Sequence, residues 1–369
     1  MTPRQRLTRE VFPMNDKDFN FLKELVETPS PSGFEQPAQR ILRRELAPVA
    51  DDVRTDVMGN VIARIKGSGE PPPRVMLAGH CDEIGFMVRY IDEEGFLFFA
   101  PIGGVDAHLV PGQRVRIHAA GGPVNGVVGK KPIHLMDPKD RETVVKFKSQ
   151  FIDIGCGSRE EAGKIVAIGD PVTFAVGLER LQGDRVTSRA FDDKMGAFIV
   201  AQVLKEVRRR GPAPCDLFGV STVQEELGLR GGTTSAYGVD PDVGIAVEVG
   251  FATDFPEVDK KEVGEIRVGG GPIIARGANI NPALFTLLVE TAREEGIACQ
   301  VSGAPRATGT DANVMQLCRG GVATALVSVP LRYMHSPVEV LSLGDLENTV
   351  RLLAGLVYRI GERKEFIPN

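Results

Sequence analysis

From Phe191 onward the chain alternates strand and helix, and that alternation constrains the fold more than any other feature of the sequence. Asp193–Arg210 carries Met195, Phe198, Ile199, Val203 and Val207 near helical spacing, ends in three arginines that suit a helix C-terminus, and stops at Gly211-Pro212. Leu217–Val223 and Val243–Val249 read as strands, Ala283–Glu295 as a helix, Ala298–Ser302 and Ala323–Val329 as strands, and Asp345–Ile360 as a long helix. Such a pattern makes an α/β sheet with helices on its faces.

Upstream, helices are expected over Asp18–Glu27 and, after a break at Pro29–Gly33, up to Leu46, with strands around Asn60–Ile65 and Val75–Ala78. Between Gly85 and Val186 the texture changes. Short β-rich runs (Phe86–Ile91, Phe96–Phe99, Val115–His118, Val124–Val128) are split by Gly-Gly and Pro-Gly turns. One short helix is expected at Ser158–Gly163, where Ser158 and Glu161 have capping-box spacing. A chain of 369 residues is long enough for two domains or three. The expected architecture is a three-layer sheet-and-helix α/β domain built from residues 1–84 and 187–369, with a β-rich domain, residues 85–186, inserted into it.

Composition excludes several classes. A net charge of -5 gives no global attraction to nucleic acid or to an anionic bilayer. The most apolar stretch, Gly196–Leu204, is too short to span a membrane and contains Gln202. Met1–Glu10 is charged throughout and lacks the apolar core of a signal peptide, so a cytoplasmic protein is expected. The five cysteines are scattered with no CxxC, which argues for buried free thiols over a disulfide framework or a thiolate zinc site.

The polar residues fall where an open α/β sheet binds its ligands, beyond the carboxyl ends of strands. Val75–Ala78 runs into Gly79-His80-Cys81-Asp82-Glu83, Leu217–Val223 into Gln224-Glu225-Glu226, Val243–Val247 into Glu248, and Ala323–Val329 into a segment ending at His335. Asp192-Asp193 opens a helix, where a carboxylate either caps the first turn or points into the crevice. Two imidazoles and several carboxylates with no cysteine suit zinc, cobalt or manganese, and a bridging carboxylate between two three-ligand sets would make a two-metal site. In Glu225-Glu226 one acid can bind metal while its neighbour moves a proton. Asp82 stands where it can accept the second ring N–H of His80 and fix its tautomer.

The segments Ala78–Val88, Phe191–Gly196, Val223–Gly231, Ile245–Val249, Gly309–Ala312 and Arg332–Glu339 together resemble the M42 metallo-aminopeptidases, which include the TET peptidases and glutamyl aminopeptidases. The resemblance implies two divalent ions per subunit, zinc, cobalt or manganese. His80, Asp192 and Glu248 would hold one, and Asp192, Glu226 and His335 the other, with Asp192 as the bridge. It makes Glu225 the general acid/base and Asp82 the carboxylate that orients His80. It further implies short peptide substrates and a large homo-oligomer, a dodecamer. Many relatives have Asp where this chain has Glu248, and Arg where it has Lys194.

The expected reaction is hydrolysis of N-terminal residues from short peptides, with Glu225 taking a proton from water and returning it to the leaving amine. Three rivals compete with it: a carboxypeptidase or amide deacylase on the same core, an endoglucanase-type glycoside hydrolase, and a non-catalytic assembly protein. Zero Trp and 4 Tyr leave few stacking platforms for a glucan. His108, His118 and His134 are read as structural. Gly269-Gly270-Gly271-Pro272 lacks the Lys-Ser/Thr of a phosphate loop and is read as a close backbone approach near the active site.

Overall fold

A computed structural model describes residues 14–361 and 365–368; the charged stretch Met1–Glu10 lies outside the described residues. The central sheet has eight strands, in the order Asp52–Thr55, Val61–Ile65, Asp216–Thr222, Arg74–His80, Val243–Phe251, Ala323–Leu331, Ile273–Gly277 and Gln300–Ala304. The middle four, Asp216–Thr222 through Ala323–Leu331, pair in parallel, so their carboxyl ends lie along one edge of the sheet.

Alternation along the strands covers both faces. In Arg74–His80, Val75 and Leu77 join the larger core, while Met76 and Ala78 join a second one on the opposite face. The larger core takes in the helices Asp16–Glu27, Gln36–Leu46, Phe191–Arg210, Pro282–Glu294 and Leu343–Ile360; the other takes in Arg230–Val239 and Asp311–Met315. Helices on both faces of a mostly parallel sheet are the three-layer arrangement read from the alternation.

The β-rich stretch closes into a six-stranded barrel, Gly85–Ile91, Leu97–Ile102, Gln150–Asp153, Gly122–Lys130, Arg114–Ala119 and Pro171–Phe174 in spatial order. Its own core is centred on Phe86, edge-on to Phe99 at 5.0 Å and to Phe174 at 5.3 Å. The short helix Arg159–Gly163 is capped as its spacing predicts, Ser158 Oγ accepting from the Glu161 amide at 3.2 Å. A small three-stranded sheet, Glu179–Arg180, Arg185–Ser188 and Glu339–Ser342, sets Ser188 opposite Glu339.

One expectation is corrected and another made specific. Cys81 and Cys215 are buried thiols, but Cys156, Cys299 and Cys318 are only half-buried; all five are free. The Gly269–Gly271 loop is a close approach, a Cβ on Gly271 striking the Ala298 carbonyl, and its amides are taken inside the fold, those of Gly269 and Gly271 donating to the Asp345 carboxylate at 2.6 and 2.8 Å. The anion that a glycine-rich turn attracts is here an internal side chain.

Candidate active site

Strand register does the first part of the assembly. Thr222 lies opposite His80 and Ala246 opposite Ala78, so His80, Glu248 and the Gln224–Glu226 turn emerge side by side at the carboxyl edge. The helix Phe191–Arg210 then brings in the acid pair. Gly79 and Gly196 face each other at a contact too close for any Cβ, which lets the helix start press against the strand tip. Asp192 and Asp193 are not helical, with Asp192 extended at φ -78, ψ 110. The cap belongs to Asp193, whose Oδ1 accepts from the Gly196 amide at 3.0 Å and whose Oδ2 accepts from the His80 amide at 3.3 Å. Asp192 is thereby free to face the crevice.

There it stands between the two imidazoles. His80 Nε2 lies 3.4 Å from Asp192 Oδ1 and 3.6 Å from Glu248 Oε2, while His335 Nε2 lies 3.1 Å from Asp192 Oδ2 and 3.2 Å from Glu226 Oε1. In each triad, His80/Asp192/Glu248 and Asp192/Glu226/His335, the donor atoms lie within 4.8 Å of one another. Glu225 belongs to neither triad but sits beside the first, its Oε2 3.7 Å from His80 Nε2.

Asp82 does more than the tautomer lock expected of it. The nearest acceptor to His80 Nδ1 is the Asp82 main-chain carbonyl at 3.1 Å, with the carboxylate at 3.4 Å. That carboxylate also accepts from the Glu225 and Glu226 amides at 3.0 and 3.2 Å and from Ser32 Oγ at 2.6 Å. One residue thus orients the imidazole and pins the turn that carries both glutamates. His335 Nδ1 is matched to a different partner, the Gly104 carbonyl at 2.9 Å, in the turn that leaves the barrel strand Leu97–Ile102.

The electrostatics call for cations. Burial pushes Glu225 up to about 8, with Asp311, Glu226 and Asp192 adding to the rise and His80 opposing it. Burial also raises Glu226, Asp193 and, well above the usual range, Glu248, and it lifts Asp311 to about 6. Asp192 goes the other way: burial disfavours its charge, but the imidazoles, His335 foremost, hold it well below the usual carboxylate range. Hydrogen bonds to Asp192 and Glu226 lift His335 to about 11. The cations nearest in the chain, Arg189 and Lys194, are both committed to the buried Glu83, Lys194 Nζ at 2.9 Å from it. Buried acids that outnumber the two imidazoles among them and that neither Arg189 nor Lys194 neutralises, arranged as two nitrogen-and-oxygen triads with one shared member, fit a pair of divalent ions.

Sequence reasoning placed His80, Asp82, Asp192, Glu225, Glu226, Glu248 and His335, and the structure gathers all of them at one sheet edge. It did not assign a role to Glu339, whose carboxylate is 2% exposed and accepts from the Asp192 and His335 amides. His108, His118 and His134 join no metal-competent group among the described residues.

The family profile described as M42 glutamyl aminopeptidase matches residues 59–352. The chain belongs to that family. It is 41% identical to the lysyl aminopeptidase of Pyrococcus furiosus over 354 residues, covering 95% of this chain and 99% of that protein. A TET aminopeptidase from a marine-sediment Thaumarchaeota archaeon superposes with a TM-score of 0.89 at 36% identity, covering 94% of this chain and 97% of that one. The TET1 peptidase of Pyrococcus horikoshii, which can assemble into a tetrahedron or a large octahedral shell, follows at 0.82 and 30% identity, covering 92% and 99% of the two chains. This M42 member is therefore a metallopeptidase of the aminopeptidase class, a reading the relatives support over the glycan-hydrolase and non-catalytic ones.

Proposed function

We propose that this M42 enzyme is a two-metal aminopeptidase that removes N-terminal residues from short peptides. The observation that carries the reading is Asp192, whose two carboxylate oxygens face two different imidazoles and so belong to two ligand triads at once. His80, Asp192 and Glu248 would hold one ion and Asp192, Glu226 and His335 the other, as zinc, cobalt or manganese. Divalent ions there supply Lewis acidity toward the scissile carbonyl and toward water. Glu225, outside both triads and held high by burial, accepts the proton of the attacking water and delivers it to the leaving amine. Asp82 keeps His80 and the Glu225-Glu226 turn in mutual register.

The barrel, within residues 85–186, is assigned to assembly and substrate access in a large homo-oligomer such as a dodecamer. The shell-forming relative supports that assignment. No helix among the described residues is long and apolar enough to cross a membrane. Free thiols with no disulfide among the described residues support a cytoplasmic location. No nucleic-acid partner is proposed for a chain of net charge -5.

The deciding experiment strips the protein of metal, refills it with zinc, cobalt or manganese, and offers matched peptides with free and acetylated N-termini. Turnover confined to refilled protein and free N-termini is the expected result. Cleavage of acetylated peptides at undiminished rate would move the activity to a carboxypeptidase or deacylase.

A further inference from the structure

Glu339 is a buried acid that none of the roles above uses. It opens the strand Glu339–Ser342, opposite Ser188 in the small three-stranded sheet. Two of the three chain segments that carry second-triad ligands depart from this point: Ser188 leads through Ala190 to Asp192, and His335 precedes Glu339 in the connecting turn. The carboxylate divides its oxygens between them, Oε2 accepting from the Asp192 amide at 3.2 Å and Oε1 from the His335 amide at 3.0 Å.

The backbone there needs a restraint. Ala190 has φ 60 and His335 φ 61, a left-handed conformation that residues with a Cβ hold only where the surroundings impose it. At His335 the imposed hydrogen bond is the one to Glu339. Because both oxygens of Glu339 face backbone amides, the side chain supplies the frame that Asp192 and His335 share.

Resting on the two-metal reading, we propose that Glu339 is a positioning residue that fixes the Asp192-to-His335 spacing and thereby sets the affinity of the second metal triad. Two of that triad's three ligands are tied to it through their amides, against one of three in the first. Glu339→Gln presents an amide N–H₂ to one of the two backbone donors and can serve only the other. Glu339→Asp keeps the charge and withdraws it by one methylene, so it cannot span both amides.

The test titrates metal-free wild type, Glu339→Gln and Glu339→Asp with cobalt, following heat and the visible cobalt spectrum, beside the melting temperature of each metal-free protein. Wild type should bind two ions. Both variants should keep the first affinity within a few-fold, lose about tenfold or more in the second, and show an altered spectrum for the second equivalent. Two wild-type affinities in a folded Glu339 variant overturn the proposal. Should Glu339→Gln fail to fold, the more conservative Asp variant decides by the same readings. A wild type that binds a single ion overturns the two-metal reading and this proposal with it, an outcome read from the wild-type curve alone.

Discussion

The two triads share Asp192 and differ in nearly everything else. His80 ends its central strand and Glu248 lies within the neighbouring one, 1% and 3% exposed, and their spacing follows from sheet register and from the helix packed beneath. Glu226 and His335 lie on turns beyond the strand ends, both partly exposed, and hydrogen bonds to Asp82, Gly104 and Glu339 hold them. The barrel reaches the second triad through its Gly103-Gly104 turn. A Cβ on Gly103 would come 3.1 Å from Glu226 Oε2, and one on Gly104 would come 3.0 Å from His335 Nδ1. One triad is a property of the sheet; the other depends on loops and on where the barrel sits.

The largest effect expected lies outside both triads and separates proton movement from metal holding. Glu225→Gln is nearly isosteric but cannot take a proton from water, so kcat should fall by about 10²–10⁴-fold while both ions stay bound. Metal content and rate, measured on the same sample, check this. Lost metal would place Glu225 among the ligands, and wild-type kcat would pass the proton role to another group.

Next comes the shared ligand. Asp192→Asn should weaken both triads, whereas His80→Ala should chiefly weaken the first and His335→Ala the second. A bridging carboxylate both sets the separation of two cations and screens their repulsion, which for unit charges at 4 Å is already about 4 kcal/mol at an effective dielectric of 20. Zinc titration of the three variants should leave one strong site in each histidine variant and none of normal affinity in Asp192→Asn. Two intact sites in Asp192→Asn would break the comparison at its centre.

What the sequence showed and what it hid divide between the ligands and the backbone supports behind them. The ligands of both triads were legible because hydrophobic runs mark strands and polar residues toward their carboxyl ends mark a sheet's binding edge, as for His80, Glu226, Glu248 and His335. The supports were not. Glu339 begins a four-residue strand, and its role exists only through amides 147 residues and 4 residues away in the chain. The cap that Asp193 takes from Asp192 depends on the non-helical start of Phe191–Arg210, which side-chain periodicity does not report. The helix Arg230–Val239 escaped notice because Gly231, Gly232, Thr233 and Thr234 are poor helix formers. Those glycines are there for closeness: a Cβ on Gly231 would strike the Val223 carbonyl and one on Gly232 the Asp311 carboxylate.

A smaller effect tests whether the barrel's contact is specific to the second triad. In Gly104→Ala the new methyl must displace the His335 ring or retreat with its turn, and either movement disturbs the carbonyl that fixes the ring at 2.9 Å. The second-site affinity should drop about tenfold, the range seen when such outer partners are lost, with the first site unchanged. Calorimetric titration of the metal-free variant reads both values. Equal weakening of both sites would mean that the barrel turn braces the whole cleft.

The smallest effect concerns how the barrel is seated. His118, on the barrel strand Arg114–Ala119, bonds through Nε2 to Thr173 Oγ1 at 2.9 Å, and burial lowers its pKa to about 4. Arg189 and Lys194, which belong to the buried Glu83 cluster outside the barrel, and Arg116 on its own strand add to the fall, while Glu83 opposes it. The neutral ring is therefore the folded form. In the unfolded chain the imidazole titrates near 6.5, so between about 6.5 and 4 the unfolded state binds the extra proton and stability drops as pH falls. The contribution is complete above pH 6.5. Discounted for the ring's partial exposure, the loss by pH 5 is about 1 kcal/mol. His118→Gln keeps a polar partner for Thr173 and removes the titration, so metal-free wild type should lose more melting temperature between pH 7.5 and pH 5 than the variant does. Equal losses would mean that His118 does not carry the acid sensitivity of the fold, and that some other group titrates in that range.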